Sequence, residues 1–277
     1  MPIKTSTLLH HFDTIAPLCL AQDWDNCGLL IDAPSPTVSK IFLSLELTRD
    51  VFDEAETSGA ELIVTHHPVI FRGLQKIVAS TPEVAVLCRA LRQGIGIYSA
   101  HTNLDIVPGG LSDYLAHLIG ATIEGVLEEI TVAPAHAEKL ARMFDTQKIF
   151  GIGRMARLAT PVSLATLCQQ VKHALNLPYV IATQANDKPL QRIAILTGSG
   201  GSAVQQAARK KADVYLCGDI KYHDAVWARE NGLNLIDCGH FGSEYIFADL
   251  MESLLTPLNL PLEMVKSQRC SNPFQLF

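Results

Sequence analysis

A chain of 277 residues, 48% hydrophobic and 18% charged, holds enough apolar material for one large folded domain or two modest ones, which excludes a disordered chain. Its net charge of −6 argues against a general nucleic-acid binder or an anionic-membrane binder. No apolar run approaches the length of a membrane span. Asp13 and the His10–His11 pair interrupt any signal-peptide core, so a cytoplasmic protein is expected. The seven cysteines are odd in number and lack a C-x-x-C pair, which suits buried thiols in a reducing compartment better than disulfides or a thiolate zinc site.

In chain order, Thr5 or Ser6 caps a first helix whose face is Leu8, Leu9, Phe12 and Ile15 and which Pro17 stops; His10 and His11 read as surface or packing residues. A turn at Trp24–Gly28 leads to a short strand Leu29–Ile31, and Ala33 to Pro36 reads as loop. Asp25 and Asn26 are turn formers by type. A strand Ile41–Leu47, an acidic helix Asp50–Ser58 and an apolar strand Ala60–Thr65 follow, the last running straight into His66-His67-Pro68. A helix Pro82–Gln93 leads to the strand Ile95–Ala100 and then to His101-Thr102-Asn103-Leu104-Asp105.

The stretch Thr122 to Pro189 reads separately. It has a strand Glu129–Ala133, a helix His136–Phe144, a turn Gly151-Ile152-Gly153 and a helix Val162–Leu175; an independent subdomain and strands added to the second sheet are both open. The earlier grammar then returns. A strand Ile193–Leu196, a helix Ser202–Lys211, a strand Ala212–Cys217 ending in Gly218-Asp219, a helix His223–Asn231 and a strand Leu233–Cys238 precede Gly239-His240-Phe241-Gly242-Ser243-Glu244. Ile41 and Ala60, and Ile193 and Ala212, are separated by the same 19 residue steps, and each copy ends in a His followed four residues later by a carboxylate. We read a duplicated α/β unit, 1–126 and 127–277, with mostly parallel, mixed sheets whose strand ends converge on a cleft.

The chemistry sits at those strand ends. Adjacent side chains on a strand point to opposite faces, but where Pro68 forces a turn His66 and His67 can splay toward neighbouring metals. In a helical turn, His101 with Asp105 and His240 with Glu244 share a face. A set of imidazoles and carboxylates without thiolate suits zinc, iron(II) or manganese, and a bridging carboxylate, for which Glu244 is the longer acid, holds two cations together. The competing reading has Asp105 and Glu244 as helix caps, which leaves their recurrence unexplained. The loop Gly198-Ser199-Gly200-Gly201-Ser202 can present backbone N–H groups to an anion. It nearly fits a dinucleotide fingerprint, but such a fold does not call for a histidine–carboxylate cluster. Asp219 can line the same cleft, and His223 is either a proton donor or a helix cap.

Together, Trp24-Asp25-Asn26-x-Gly28-Leu29, Thr65-His66-His67-Pro68-x-Ile70-Phe71, His101-Thr102-Asn103-Leu104-Asp105, Gly151-Ile152-Gly153-Arg154, Gly198-x-Gly200-Gly201, Gly218-Asp219-x-x-Tyr222-His223 and Gly239-His240-Phe241-x-Ser243-Glu244 resemble the NIF-three-like family, the GTP cyclohydrolase I type 2 homologs. The resemblance implies two intertwined α/β repeats, two divalent metal cations in the cleft between them and a ring-shaped homohexamer. By position, it puts His66, Asp105 and Glu244 on one cation and His67, His240 and Glu244 on the other. Glu46 stands where the family is expected to carry Asp. The implied activity is metal-dependent hydrolysis by a metal-bound hydroxide, with His101 or His223 relaying protons and Gly198–Ser202 holding the phosphates of a nucleotide or another phosphate-containing small molecule. A non-catalytic protein that stores or delivers metal, or a regulatory scaffold, is the alternative.

Overall fold

The computed structural model of the chain describes residues 2–32, 35–144 and 150–276. Of the loop expected at Ala33 to Pro36, Ala33 and Pro34 lie outside the described residues. The chain forms two units, Met1–Leu104 with Phe247–Phe277, and Asp105–Ile246. These units and the sequence repeats 1–126 and 127–277 divide the chain differently: 105–126 belong to the second unit and 247–277 to the first.

The first unit is built on a five-stranded sheet in the order Glu263–Lys266, Lys40–Ser44, Leu62–Thr65, Gly96–Ser99, Gly28–Ile31. Its first three pairings are parallel and the last is antiparallel. Ile41, Phe42, Leu43, Leu62, Ile63, Val64 and Ile97 are fully or almost fully buried, as the unbroken apolar runs of a parallel sheet require. The register sets Ser44 against Thr65 and Thr65 against Ser99, so the three central strands end level. Glu46, His66-His67 and His101 all leave from that one edge.

The helix Arg49–Ser58 starts at Thr48, whose side chain accepts from the Val51 N–H, and stops at Gly59 in the left-handed region. The first helix is Thr5–Ile15, and Leu8 and Phe12 are buried as expected. Its N-cap is Lys4 without a side-chain cap; the Thr5 hydroxyl donates instead to the Ser35 carbonyl.

The strand Glu263–Lys266 was not evident in the sequence. Glu54, on the helix Arg49–Ser58, fixes the segment after it, accepting from the Ser267 hydroxyl at 2.7 Å and from the Gln268 N–H at 2.9 Å. Burial pulls the Glu54 carboxyl upward, but the Gln268, Ser267 and Arg269 donors outweigh it and the pKa is lowered. A lowered folded-state pKa contributes stability above the unfolded value and loses it as pH falls. Wild type should therefore exceed Glu54→Gln by about 1 kcal/mol at pH 7 in urea unfolding. The gap should close as pH falls below about 4. A gap that is constant with pH would contradict the charged contact.

The second unit carries a six-stranded sheet in the order Ala121–Glu129, Gly151–Val162, Leu190–Ser199, Val214–Gly218, Asn234–Asp237, Ile181–Thr183. Its centre, the strands beginning at Leu190, Val214 and Asn234, is parallel, and its flanks are antiparallel. The fold is thus mixed α/β, with more antiparallel pairing in this unit than the alternating pattern suggested.

The stretch 122–189 supplies the flanking strands and is no separate subdomain. The strand expected at Glu129–Ala133 ends at Glu129, and the helix after it is Pro134–Met143. Gly151-Ile152-Gly153 is not a turn: it opens the strand Gly151–Val162. A Cβ at Gly151 would come 2.2 Å from the Glu128 carbonyl oxygen, and one at Gly153, where φ is +65°, would come 2.8 Å from that of Ile195. Close strand approach explains both glycines. Arg154, 2% exposed, donates to the carbonyls of Gly151, Gly153, Ile106 and Val107, so this motif residue holds the strand to the start of the unit. Among the described residues no helix is long and apolar enough to cross a membrane.

Candidate metal centre

In the first unit the strand ends at Thr65, so His66 and His67 lie beyond the pleat and are not forced to opposite faces. The His66 and His67 N–H groups still bond to the carbonyls of Ser44 and Leu45. Thr65 and Ser99 hydroxyls donate to the carbonyls of His67 and His66. The backbone under the pair is thereby fixed.

Each ring is then set by its Nδ1. That of His66, which is fully buried, donates to the Ala100 carbonyl at 2.7 Å. That of His67 meets Glu46 Oε1 at 2.5 Å, and that of His101 meets Asp25 Oδ1 at 2.8 Å. Protons on Nδ1 leave the Nε2 lone pairs for a ligand. A ring nitrogen from each of His66, His67 and His101 lies within 4.8 Å of the others, a group that can hold a metal ion.

Asp25 does more than turn the chain. Its second oxygen accepts from the Thr102 N–H at 3.1 Å, the Thr102 hydroxyl at 2.5 Å and the Cys27 thiol at 3.0 Å. Burial works against its charge, but the His101, Cys27 and Thr102 hydrogen bonds prevail and hold the carboxyl well below the usual carboxylate range. Burial, reinforced by the bond to Asp25, pushes the Cys27 thiol up to about 12. Cys27 is accordingly a donor to Asp25 and not a thiolate.

In the second unit, Gly239 with φ +74° starts the helix His240–Glu244. The expected helical spacing is realised: His240 Nε2 lies 3.0 Å from Glu244 Oε2. His240 Nδ1 bonds Asp219 Oδ2 at 2.8 Å, and Asp219 is held at φ +58°, uncommon for a residue with a side chain. The Ser243 hydroxyl accepts from the Gly198 N–H at 2.8 Å and donates to the His240 carbonyl. Glu244 is 3% exposed. A Cβ at Gly198, where φ is +73°, would come 2.2 Å from Glu244 Oε1, so the glycine is required to make room for this carboxylate. Asp105 lies within the helix Thr102–Ile106 and Glu244 ends its own helix, so neither is an N-cap.

The glycine loop is packed under this site. The Gly200 N–H bonds the Gly218 carbonyl, Tyr215 donates to the Gly200 carbonyl, and a Cβ at Gly200 would lie 2.4 Å from that of Cys217. After Gly201–Ala203, a single 3-10 turn, the helix Val204–Arg209 is only six residues long. Close approach accounts for Gly198 and Gly200; Ser199 is exposed and Gly201 half-buried. His223 is exposed in the first turn of the helix Tyr222–Glu230, its ring 5.3 Å from that of Tyr222. The N-cap position is Lys221, so His223 is no cap, and it is in neither donor group.

Asp25 and Asp219 were not singled out as histidine partners by sequence, and Glu46 only as a departure from the family's Asp that could orient a ligand. Glu46 and Asp219 each fall within two residues of a strand end, and Asp25 sits in the turn before a strand, which is the only local signal. His66, His67, His101 and His240 each have Nδ1 bonded to a carboxylate or a carbonyl. That is the arrangement by which proteins orient metal-ligating imidazoles. The donors are nitrogen and oxygen, and the glycine cradle spares the Glu244 carboxylate, so the residues fit divalent cations.

The model of the Duf34/NIF3 (NGG1p interacting factor 3) family matches residues 3–273. The chain is 30% identical to the GTP cyclohydrolase 1 type 2 homolog of Clostridium perfringens over 99% of both proteins. It is 34% identical to the NIF3 homolog of Schizosaccharomyces pombe, over 81% of this chain and 79% of that one. The solved structure of the Staphylococcus aureus hypothetical protein SA1388 superposes with a TM-score of 0.87 at 27% identity, covering all of both chains. With its strand-end histidines, its acid partners and a family match over nearly its whole length, the chain belongs to the DUF34/NIF3 family.

Proposed function

We propose that this chain is a dinuclear, divalent-metal-dependent hydrolase of the cyclohydrolase-like reaction class, working in the cytoplasm as a homohexamer. His66, Asp105 and Glu244 would hold one cation and His67, His240 and Glu244 the other, Glu244 serving both. The observation that carries the reading is the anchoring of Nδ1 in His66, His67, His101 and His240 by Ala100, Glu46, Asp25 and Asp219. Four imidazoles each oriented through Nδ1 are the arrangement that metal-ligating histidines show.

Divalent cations bound at these donors would supply Lewis acidity and would bring the ionisation of water near neutral pH. The chain's own groups do the rest. Glu46 and Asp219 keep the rings of His67 and His240 in one tautomer. Asp25 holds His101 beside His66 and His67, where its imidazole can take up and return a proton. The substrate class follows the relatives' names, a nucleotide or another phosphate-containing molecule with an electrophilic carbon or phosphorus.

The test is metal analysis of protein purified without chelator, then a screen of nucleotides and phosphoesters with that metal restored. Two equivalents of zinc, iron or manganese and metal-dependent turnover are expected. Two bound cations without turnover on any compound would leave a metal-handling protein, and no bound cation would overturn the centre itself.

A further inference from the structure

The Trp24-Asp25-Asn26 turn carries two exposed aromatic rings beside the histidines, and the metal chemistry uses only its central residue. Trp24 is 59% exposed and Phe71 47% exposed. Their ring centroids lie 5.9 Å apart, and those of Trp24 and Phe71 lie 6.2 and 6.3 Å from that of His101. His101 stands edge-on to both, at interplanar angles of 78° and 76°. Large aromatics left in water beside polar donors are unusual for a surface with nothing to bind.

The turn is built so that this arrangement is fixed. Asp25 bonds His101 and Thr102, and the Asn26 side-chain amide donates to the Ile70 carbonyl at 2.5 Å, immediately before Phe71. Three successive residues thus have three tasks. Trp24 presents a ring, Asp25 fixes the imidazole and Asn26 fixes the segment that bears the second ring. A flexible pair of exposed aromatics would lose entropy on closing over a ligand; this pair is held in advance.

We propose that Trp24 and Phe71 form a stacking site for the planar heteroaromatic ring of the substrate, placing that ring beside His101. A nucleobase fits by chemistry, since every base has a π-face and stacks without needing a particular hydrogen-bond pattern. The inference rests on the proposed hydrolytic centre for the fate of the ring, and its test is separable from it.

The chain has two tryptophans, so Trp227→Phe leaves Trp24 as the sole indole emitter. In this variant, as the full-length metal-loaded protein, GTP should quench Trp24 emission saturably, and inorganic tripolyphosphate should not. In the otherwise unaltered chain, Trp24→Leu and Phe71→Leu should each weaken GTP binding, followed by calorimetry, by about 5- to 150-fold, the range for a lost base–aromatic stack. Metal content should be unchanged in both.

Quenching by tripolyphosphate equal to that by GTP, or unchanged GTP affinity in both Leu variants, would overturn the stacking site. So would a Trp24 that acrylamide cannot reach in the ligand-free protein, because the ring would then be covered by another copy of the chain. Any of these with two cations still bound fails this inference alone. A wild-type protein that takes up no cation fails the metal reading, whatever the fluorescence shows.

Discussion

Glu244→Ala is expected to abolish binding of both cations, whereas His67→Ala and His240→Ala should each remove the same single cation. The difference follows from the proposed division of ligands: each imidazole serves one metal, and Glu244 serves two. Its environment supports a demanding role. The carboxylate is nearly buried, lies 3.0 Å from His240 Nε2, and is accommodated only because residue 198 lacks a Cβ. A divalent ion bound there would stabilise the folded unit as well.

Truncation to Ala opens a void beside Gly198, and loss of metal through unfolding must be separated from loss of a ligand. Glu244→Gln keeps the volume and one carbonyl oxygen, and it should fold with a wild-type circular dichroism spectrum and still bind neither cation tightly. Metal-to-protein ratios on the four variants decide the matter. Equal loss of both cations in His67→Ala, His240→Ala and Glu244→Ala would sink the two-site assignment. A folded Glu244→Gln protein retaining both at full occupancy would sink the bridge.

The parts of this centre that could be read from sequence are those with a local period. Apolar runs such as Leu62–Thr65 ending in His66-His67, and the four-residue spacing of His240 and Glu244, depend only on strand burial and helix geometry. The orienting acids are different. Asp25 and His101 are 76 residues apart and Glu46 and His67 are 21 apart, and no periodic rule joins them until the strand order is known. Glu46, which replaces the expected Asp, proves to be the partner of His67, so the longer side chain acts directly on the orientation of that ring.

The second sheet illustrates the same limit. Gly151 and Gly153 read as a turn by type, but they are glycines because the Glu128 and Ile195 carbonyls pass too close for a Cβ. Likewise the strand Glu263–Lys266 is short, polar at its first residue, and defined by pairing with Lys40–Ser44 across more than two hundred residues. Pattern identifies elements, while close approach and pairing are properties of the folded chain.

His101→Gln is expected to keep both cations and to lower turnover by about 10²–10⁴-fold, the usual loss when a positioned general acid or base is removed. Glutamine can fill the space and still bond Asp25, but it cannot exchange a proton near neutral pH. On the proposed duplication His101 is the counterpart of His240, since each follows a parallel strand and precedes a carboxylate by four residues. Only His240 is assigned to a cation in the proposed ligand set. The structure nevertheless puts a ring nitrogen of His101 within 4.8 Å of ring nitrogens of His66 and His67, so ligation by His101 is a definite rival. Metal content separates the two. If His101 is a ligand, the Gln variant loses a cation; if it relays protons, the variant stays fully loaded and slow on a substrate verified by the nucleotide screen. The bond to Asp25 gives a further discriminator. Asp25→Asn removes the carboxylate that fixes the His101 ring while keeping a side chain of the same size, and it should lower turnover without changing metal content. A fully loaded His101→Gln protein with unchanged turnover would remove the relay role even with the geometry intact.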